Sequence, residues 1–278
     1  MGIGGDLILT AAAREIRNKF KKKTFIIKKK NNFIKKLTSD NSPIFFNNPN
    51  ISQFYSGKEI IIDRSKNKFS YAKKISKTKF FWKDYNIHAV NIICNQFNII
   101  ADSVNPDIFF DKKEYFWFKN FKKILPTRYI TIEPFGKTDY TSNRLWFSDK
   151  WQLVINKVSK FIPVVQVGLR NKVKFFNVID LTSQLTIRQT ALVIKNSKLF
   201  VGTIGGLMHL SKATRTKSVI LHSGFEPIGL CSYIDNHNIN FSVECMPCGL
   251  RSKCDSDYEC MKLIKPQIVI KAIKDEIY

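Results

Sequence analysis

Three stretches of the chain carry residue types whose spacing suits chemistry on an anionic or hydroxylated ligand. The first is GIGGDLILTAAAREI, residues 2–16, in which Gly2, Gly4 and Gly5 precede Asp6 and an apolar, Ala-rich run. That order sets a carboxylate where the backbone N–H groups of a glycine turn and a helix N-terminus converge, a place built to meet a phosphate or a sugar. A plain helix cap is the alternative role for Asp6. The second is LFVGTIGGLMHLSKAT, residues 199–214. Here a strand ends at Thr203, Gly205 and Gly206 allow close backbone approach, and a helix begins whose free N–H groups can bind phosphate oxygens. His209 falls about one turn into that helix, on the cleft side, as a ligand-facing or a purely structural imidazole. The third, TIEPFGKTDYTSNRLWFSDKW, carries a loop through Gly136 and then Arg144 ahead of a helix starting near Ser148, so that the guanidinium can pair with phosphate or lie in solvent.

Two other patterns bear on chemistry. Read from Gly2, the dinucleotide fingerprint G-x-G-x-x-G needs a third glycine where Leu7 stands, which disfavours a nicotinamide enzyme. Cys245, Cys248, Cys254 and Cys260 read C-x2-C-x5-C-x5-C; only the first pair has the spacing of a structural zinc site, so zinc, reduced thiols and a disulfide all stay open.

The elements that must position these residues follow from apolar runs bounded by turn signals. DLILTAAAREIRNKF has helical spacing, with Leu7, Ala11, Ile16 and Phe20 near one face and basic residues at its C-terminal end. KTFIIK, EIIID, RYITIEP, IPVVQVG, LFVGT and KSVILHSG read as strands, and NIHAVNIICNQFNI, SDKWQLVINKVSKF, TIRQTALVIKNSK and GGLMHLSKAT as helices. Strands alternating with helices predict parallel α/β sheets. The boundary between two such series falls near Leu125 and Pro126, giving domains 1–125 and 126–278 with a cleft at the carboxyl ends of the strands.

At 278 residues and 44% hydrophobic content the chain can bury a core of ordinary size. No window approaches 18 uncharged apolar residues and no secretory pattern opens the chain, so the expectation is a soluble, cytoplasmic protein. The net charge of +24 is uneven: residues 1–125 carry 25 Lys and Arg against 10 Asp and Glu, and residues 126–278 carry 21 against 12. Runs such as KFKKKTFIIKKK are either solvated edges or a surface drawn to an anionic membrane at about 1 kcal/mol per basic residue. Nucleic-acid binding is not expected, because no RNP-like, KH or zinc-finger pattern accompanies the charge.

Taken together, the Gly-Gly-Asp opening, EPFG…NRLWFSDKW, DLTSQLTIRQTALVIKNSKLFVGTIGGLMHLSKAT and the terminal CMPC…C…CMKLIKPQIVIKAI resemble glycosyltransferase family 9, which contains the ADP-heptose:lipopolysaccharide heptosyltransferases. The likeness is good over 130–278 and thin over 20–125. It implies a GT-B architecture, two Rossmann-like domains facing across a cleft, with a nucleotide sugar such as ADP-heptose held by the C-terminal one and transferred by an inverting, metal-independent reaction needing no cofactor. It implies a lipid-linked glycan acceptor met at the cytoplasmic face of the inner membrane. By the same resemblance Asp6 is the general base, beside the acceptor-side Gly4 and Gly5, while Gly136, Arg144, Leu185, Gly205, Gly206, Leu207 and His209 are donor-binding. Two departures point instead to a nucleotide- or glycan-binding paralogue without transfer. Ile204 stands where the family commonly has an acidic residue, and the strand that the family has just ahead of Gly2 is missing.

Overall fold

The C-terminal half is organised by six short strands, of which the four inner ones are buried on both faces, the pattern of a parallel sheet covered by helices on each side. The computed structural model describes residues 2–27, 42–64, 66–70, 72–138 and 141–278, the side chain of Asn67 excepted. The basic run named above therefore leaves Lys28, Lys29 and Lys30 outside the described residues.

In chain order the elements of the N-terminal half are α1 (Ile3–Phe20), β1 (Thr24–Ile27), β2 (Ile60–Asp63), β3 (Ala72–Lys74), β4 (Phe80–Trp82), α2 (Ala89–Cys94) and α3 (Lys112–Phe121). The second half contains β5 (Ile130–Glu133), α4 (Ser148–Val158), β6 (Val164–Gln166), β7 (Ile179–Asp180), α5 (Ile187–Lys195), β8 (Phe200–Thr203), α6 (Gly206–Ala213), β9 (Ser218–Leu221), α7 (Ile228–Cys231), β10 (His237–Ile239), α8 (Glu259–Leu263) and α9 (Pro266–Ile277). The sheet runs β10-β9-β8-β5-β6-β7, all parallel, with Glu133 of β5 in register with Gly202 of β8. The chain starts at β5, moves outward to β7, then returns to β8 on the other side of β5. The β5–β8 crevice is therefore the topological switch point, where ligands of open α/β sheets bind beyond the strand ends.

Alternation along the strands divides the core. Ile130, Ile132, Val164, Val201, Val219 and Leu221 pack with residues of α4 and α9 on one face. Val165, Phe200 and Ile220 join residues of α5 and α6 on the other, in an apolar cluster that continues without a break into α1 and α2. Among the described residues, β1 and β2 form a parallel pair and β3 and β4 an antiparallel hairpin.

Helix α1 departs from the single apolar face expected of it. Leu7, Ile8, Leu9, Ala11, Ala12, Ala13 and Ile16 are all buried, whereas Phe20 is 40% exposed. A helix buried all round is a core helix rather than a surface one, and α1 lies between α2 and α6. It runs parallel to α6. At one end Gly4 lies against Gly206; at the other Asp107 is shared by Arg14 of α1 and by Arg215, just beyond α6.

A second tie joins the halves. Arg188 of α5, 8% exposed, donates to the carbonyls of Pro43 and Phe109 and to both carboxylate oxygens of Glu114. Its guanidinium also lies 5.4 Å from the ring centres of Phe46 and of Phe110.

The α1–α6 contact demands glycine. A Cβ on Gly4 would stand 2.8 Å from Cδ2 of the buried His209, whereas one on Gly206 would meet nothing nearer than 3.6 Å. Gly4→Ala is therefore expected to destabilise the chain by about 1–3 kcal/mol through overpacking, despite the better helix propensity of alanine. Gly206→Ala should stay within roughly 1 kcal/mol of the parent. Urea unfolding of the two variants checks the contrast, and equal stabilities would rule out close packing at Gly4.

Candidate active site

The parallel packing of α1 and α6 brings two helix N-termini side by side at the carboxyl edge of the sheet. Both are capped by glycine, Gly2 and Gly205, without a side-chain cap. The N–H groups of Gly206, Leu207 and Met208 have no acceptor among the described residues. Each terminus carries roughly half a positive charge, so their adjacency favours an anion between or beside them.

Asp6 stands in the first turn of α1 and is 8% exposed. Gly4 and Gly5 belong to that same turn; they are helical residues, not a glycine turn ahead of the helix. Asp6 is not a cap. Its Oδ1 pairs with Nη2 of Arg64 at 2.7 Å, and Oδ2 accepts from Oγ of Ser42 at 2.7 Å. Arg64 follows β2 and is itself buried, so this is an ion pair removed from water, with the carboxylate oriented by a guanidinium that cannot lose its charge.

His209, expected on the cleft side, lies where α6 meets α1 of the other half, and its ring is enclosed there because Gly4 has no Cβ to hold α1 away. Its Nδ1 shares a 2.6 Å hydrogen bond with the Tyr233 hydroxyl, and the Tyr233 ring lies 5.3 Å from that of His88. Burial first, then the nearby His88 and Arg144, push His209 down to about 3, so the ring is neutral. Beside this cluster lies an open pocket of 540 Å³ lined by His88, Asn91, Ser232 and Asn238 among others.

Arg144 is half-buried and paired rather than solvated. It grips the buried Glu226 through Nε and Nη2 and lies 5.1 Å from the centre of the Phe225 ring. Burial pushes the Glu226 carboxyl up while Arg144 pulls it back. A phosphate reaching Arg144 shares it with that carboxylate.

Glu133 ends β5 at the switch point. It is 5% exposed, Oε2 has no hydrogen-bond partner among the described residues, and burial raises the carboxyl to about 8.

The remaining expected residues are spread around this edge. Gly136 lies in open space in the loop after β5, Leu185 is partly buried ahead of α5, and Leu207 and Ile204 are buried in the apolar cluster. The four clustered cysteines are free thiols. Cys260 is buried and accepts from the Gly224 N–H at 3.2 Å, and Cys254 accepts from that of Tyr258 at 3.3 Å. Among the described residues no three His, Cys, Asp or Glu side chains stand where they could hold a metal ion. Arg64, Ser42, Tyr233, Glu226 and Glu133 were not foreseen. A signal existed only for Glu133, a charged residue closing the otherwise apolar strand RYITIEP.

No protein-family model and no curated protein matches the sequence. A solved glycosyl transferase family 9 structure from Veillonella parvula is similar at a TM-score of 0.68 and 12% identity, over 100% of this chain and 94% of that one. This chain has the GT-B fold. The dodecameric iron-containing glycosyltransferase TibC of enterotoxigenic E. coli is similar at a TM-score of 0.64 and 15% identity, over 99% of this chain and 74% of that one. TibC, as a heptosyltransferase in complex with ADP-D-beta-D-heptose, also matches at a TM-score of 0.53 and 16% identity, over 68% of this chain and 54% of that one. In the GT-B frame, the sheet edge carrying Glu133 and α6 belongs to the C-terminal half, and Asp6 comes to it from the N-terminal half.

Burial of three histidines makes this fold sensitive to acid. His88, His209 and His222 are held down to about 4, 3 and 4, from an ordinary 6.5. Below pH 6.5 the unfolded chain binds protons that the native one excludes, so stability falls as pH drops toward 4, by about 1.4 kcal/mol per pH unit for each ring. Urea unfolding between pH 7 and 4 should show that slope, and His209→Gln should remove one ring's share of it.

Proposed function

We propose that the chain is a family 9-like glycosyltransferase that moves a sugar from a nucleoside diphosphate sugar to a hydroxyl of a cell-surface glycan acceptor. The observation that carries this reading is the adjacency of two helix N-termini that no side chain caps, with the buried carboxylate of Asp6 in the first turn of one of them. The similarity to TibC, which has been seen with ADP-D-beta-D-heptose, supports ADP-heptose as the donor.

In this reading the diphosphate lies at the start of α6, close to Gly205, Gly206 and Leu207, with Arg144 at its side and Leu185 and Gly136 toward the nucleotide. Asp6 is the general base. An alcohol already donates to its Oδ2, that of Ser42, and the acceptor hydroxyl takes the same bond. As that oxygen attacks the anomeric carbon its proton passes to Asp6, the bond to the diphosphate breaks, and the centre inverts. The charge that grows on the leaving group is met by the two helix termini and Arg144, so the displacement proceeds without a metal ion. Arg64 pairs with Asp6 and aims it. The iron of TibC is a property of that protein; the cysteines here are read as thiols.

The excess of basic residues in 1–125 supports contact with an anionic lipid surface and a lipid-linked acceptor. No helix among the described residues is long and apolar enough to cross a membrane, and contact from the cytoplasmic side is the form proposed. A second reading, binding without transfer, is favoured by Ile204, which is buried and apolar in the segment leading to Gly205.

Thermal unfolding with nucleoside diphosphates separates these readings from none at all, since a ligand at 100 times its dissociation constant adds about 2.7 kcal/mol. Asp6→Asn is expected to reduce transfer by roughly 10²–10⁴ while ADP affinity stays within a few-fold. Binding with no turnover in the parent chain would select the second reading. Full turnover in Asp6→Asn would remove Asp6 from the chemistry.

A further inference from the structure

Glu133 is the one buried acid at the switch point to which the reading above assigns no task. Its side chain leaves β5 on the face that carries α6. Cγ and Oε1 lie 3.3 Å from the point where a Cβ would be on Gly168, and Oε2 lies 3.9 Å from that point on Gly205. Two glycines thus leave room around one carboxyl, and it opens toward the turn that starts α6. Oε2 is inaccessible to solvent yet accepts nothing from the N–H groups of Gly206, Leu207 or Met208.

A bare carboxylate in such a place is strongly disfavoured, because its Oε2 has lost water and has gained no donor among the described residues. A carboxylic acid is less so: it needs one acceptor for one O–H. The ligand that suits both the acid and the free N–H groups of the helix terminus is one crowded with acceptor oxygens, which is what a phosphoryl group presents.

We propose that Glu133 enters the donor site as a neutral carboxylic acid and donates its proton in a hydrogen bond to a diphosphate oxygen of the nucleotide, resting on the nucleoside diphosphate reading above. No covalent bond changes; the proton stays on Glu133 while the ligand is bound.

The surroundings leave the carboxyl to titrate by itself. β6 and β8 contribute no ionisable side chain. α6 contributes His209, neutral above about 3, and Lys212, paired with Asp235. The first turn of α1 contributes Asp6 with Arg64, and the loop after β9 contributes Glu226 with Arg144. Lys137, in the loop after β5, is exposed. Burial alone raises Glu133, to about 8. At neutral pH the acid form is already the major one, and above pH 8 the ligand must draw a proton in to bind.

Isothermal titration of the full chain with ADP between pH 7 and 9.5 at fixed ionic strength tests this, since the phosphates of ADP, with a last pKa near 6, are already ionised there. Affinity is expected to fall about tenfold for each pH unit above 8. Glu133→Gln, which keeps a donor of similar shape, should bind at pH 7 within a few-fold of the parent and lose that fall. Should the variant fail to fold, repeating the parent titration at pH 9 in buffers of different ionisation enthalpy gives the protons taken up on binding, expected to be close to one. Zero uptake, or a fall just as steep in Glu133→Gln, overturns the proposal. ADP that binds with no pH dependence leaves the nucleotide reading standing and removes Glu133 from it; ADP that binds at no pH removes both.

Discussion

The contact between the first turns of α1 and α6 is the constraint on which the rest of the molecule depends. It exists because Gly4 presents no side chain to His209. Two parallel helices so close at their N-termini repel electrostatically, and the repulsion has to be offset elsewhere. The apolar burial of Leu7, Ile8, Ala11 and Ala12 supplies that offset within the protein, and the carboxylate of Asp6 supplies part of it locally. What remains at the sheet edge is a positive potential shaped by backbone, which no substitution of a single basic side chain removes.

The same contact explains why the buried polar groups fall where they do. Once α1 covers α6, His209 loses water and turns to Tyr233. Asp6 is enclosed with Arg64, and Glu226 with Arg144. Each is a neutral ring or a matched pair. Glu133 is neither: its Oε2 has no hydrogen-bond partner among the described residues and burial raises its carboxyl, so it is the place where the interior is arranged for something other than stability.

The alternation of strands and helices in the C-terminal half was legible because short apolar runs lie between Gly, Pro and Asn signals, and α5 even announces itself by the capping box of Thr186 and Gln189. A comparable box, Asp111 with Glu114, opens α3 and was open to the same reading, as was Pro266 at the start of α9. β10 spans only His237–Ile239 and carries no pattern to find. The site was legible in its anchors, Asp6 and the Gly205–Gly206 turn, but not in its pairings. Arg64 reaches Asp6 from beyond β2, and Glu226 reaches Arg144 across 82 residues; periodicity reports a residue's own element and says nothing of its partner in another. The one-faced character expected of α1 misled for a related reason, since a helix covered from several sides shows its full environment only in three dimensions.

Arg188 gives the assembly a mechanical character. Its planar group holds the carbonyl of Pro43 on one segment and, on another, the carbonyl of Phe109 and the carboxylate of Glu114, with two aromatic rings alongside. A joint of that kind resists both sliding and tilting, because any displacement breaks several bonds of fixed direction together. The spacing between the surface that bears Asp6 and the one that bears Glu133 is accordingly chosen while the chain folds. The loss of freedom that two mobile halves would have to bear at each encounter has already been absorbed, leaving a ligand only its own motion to surrender.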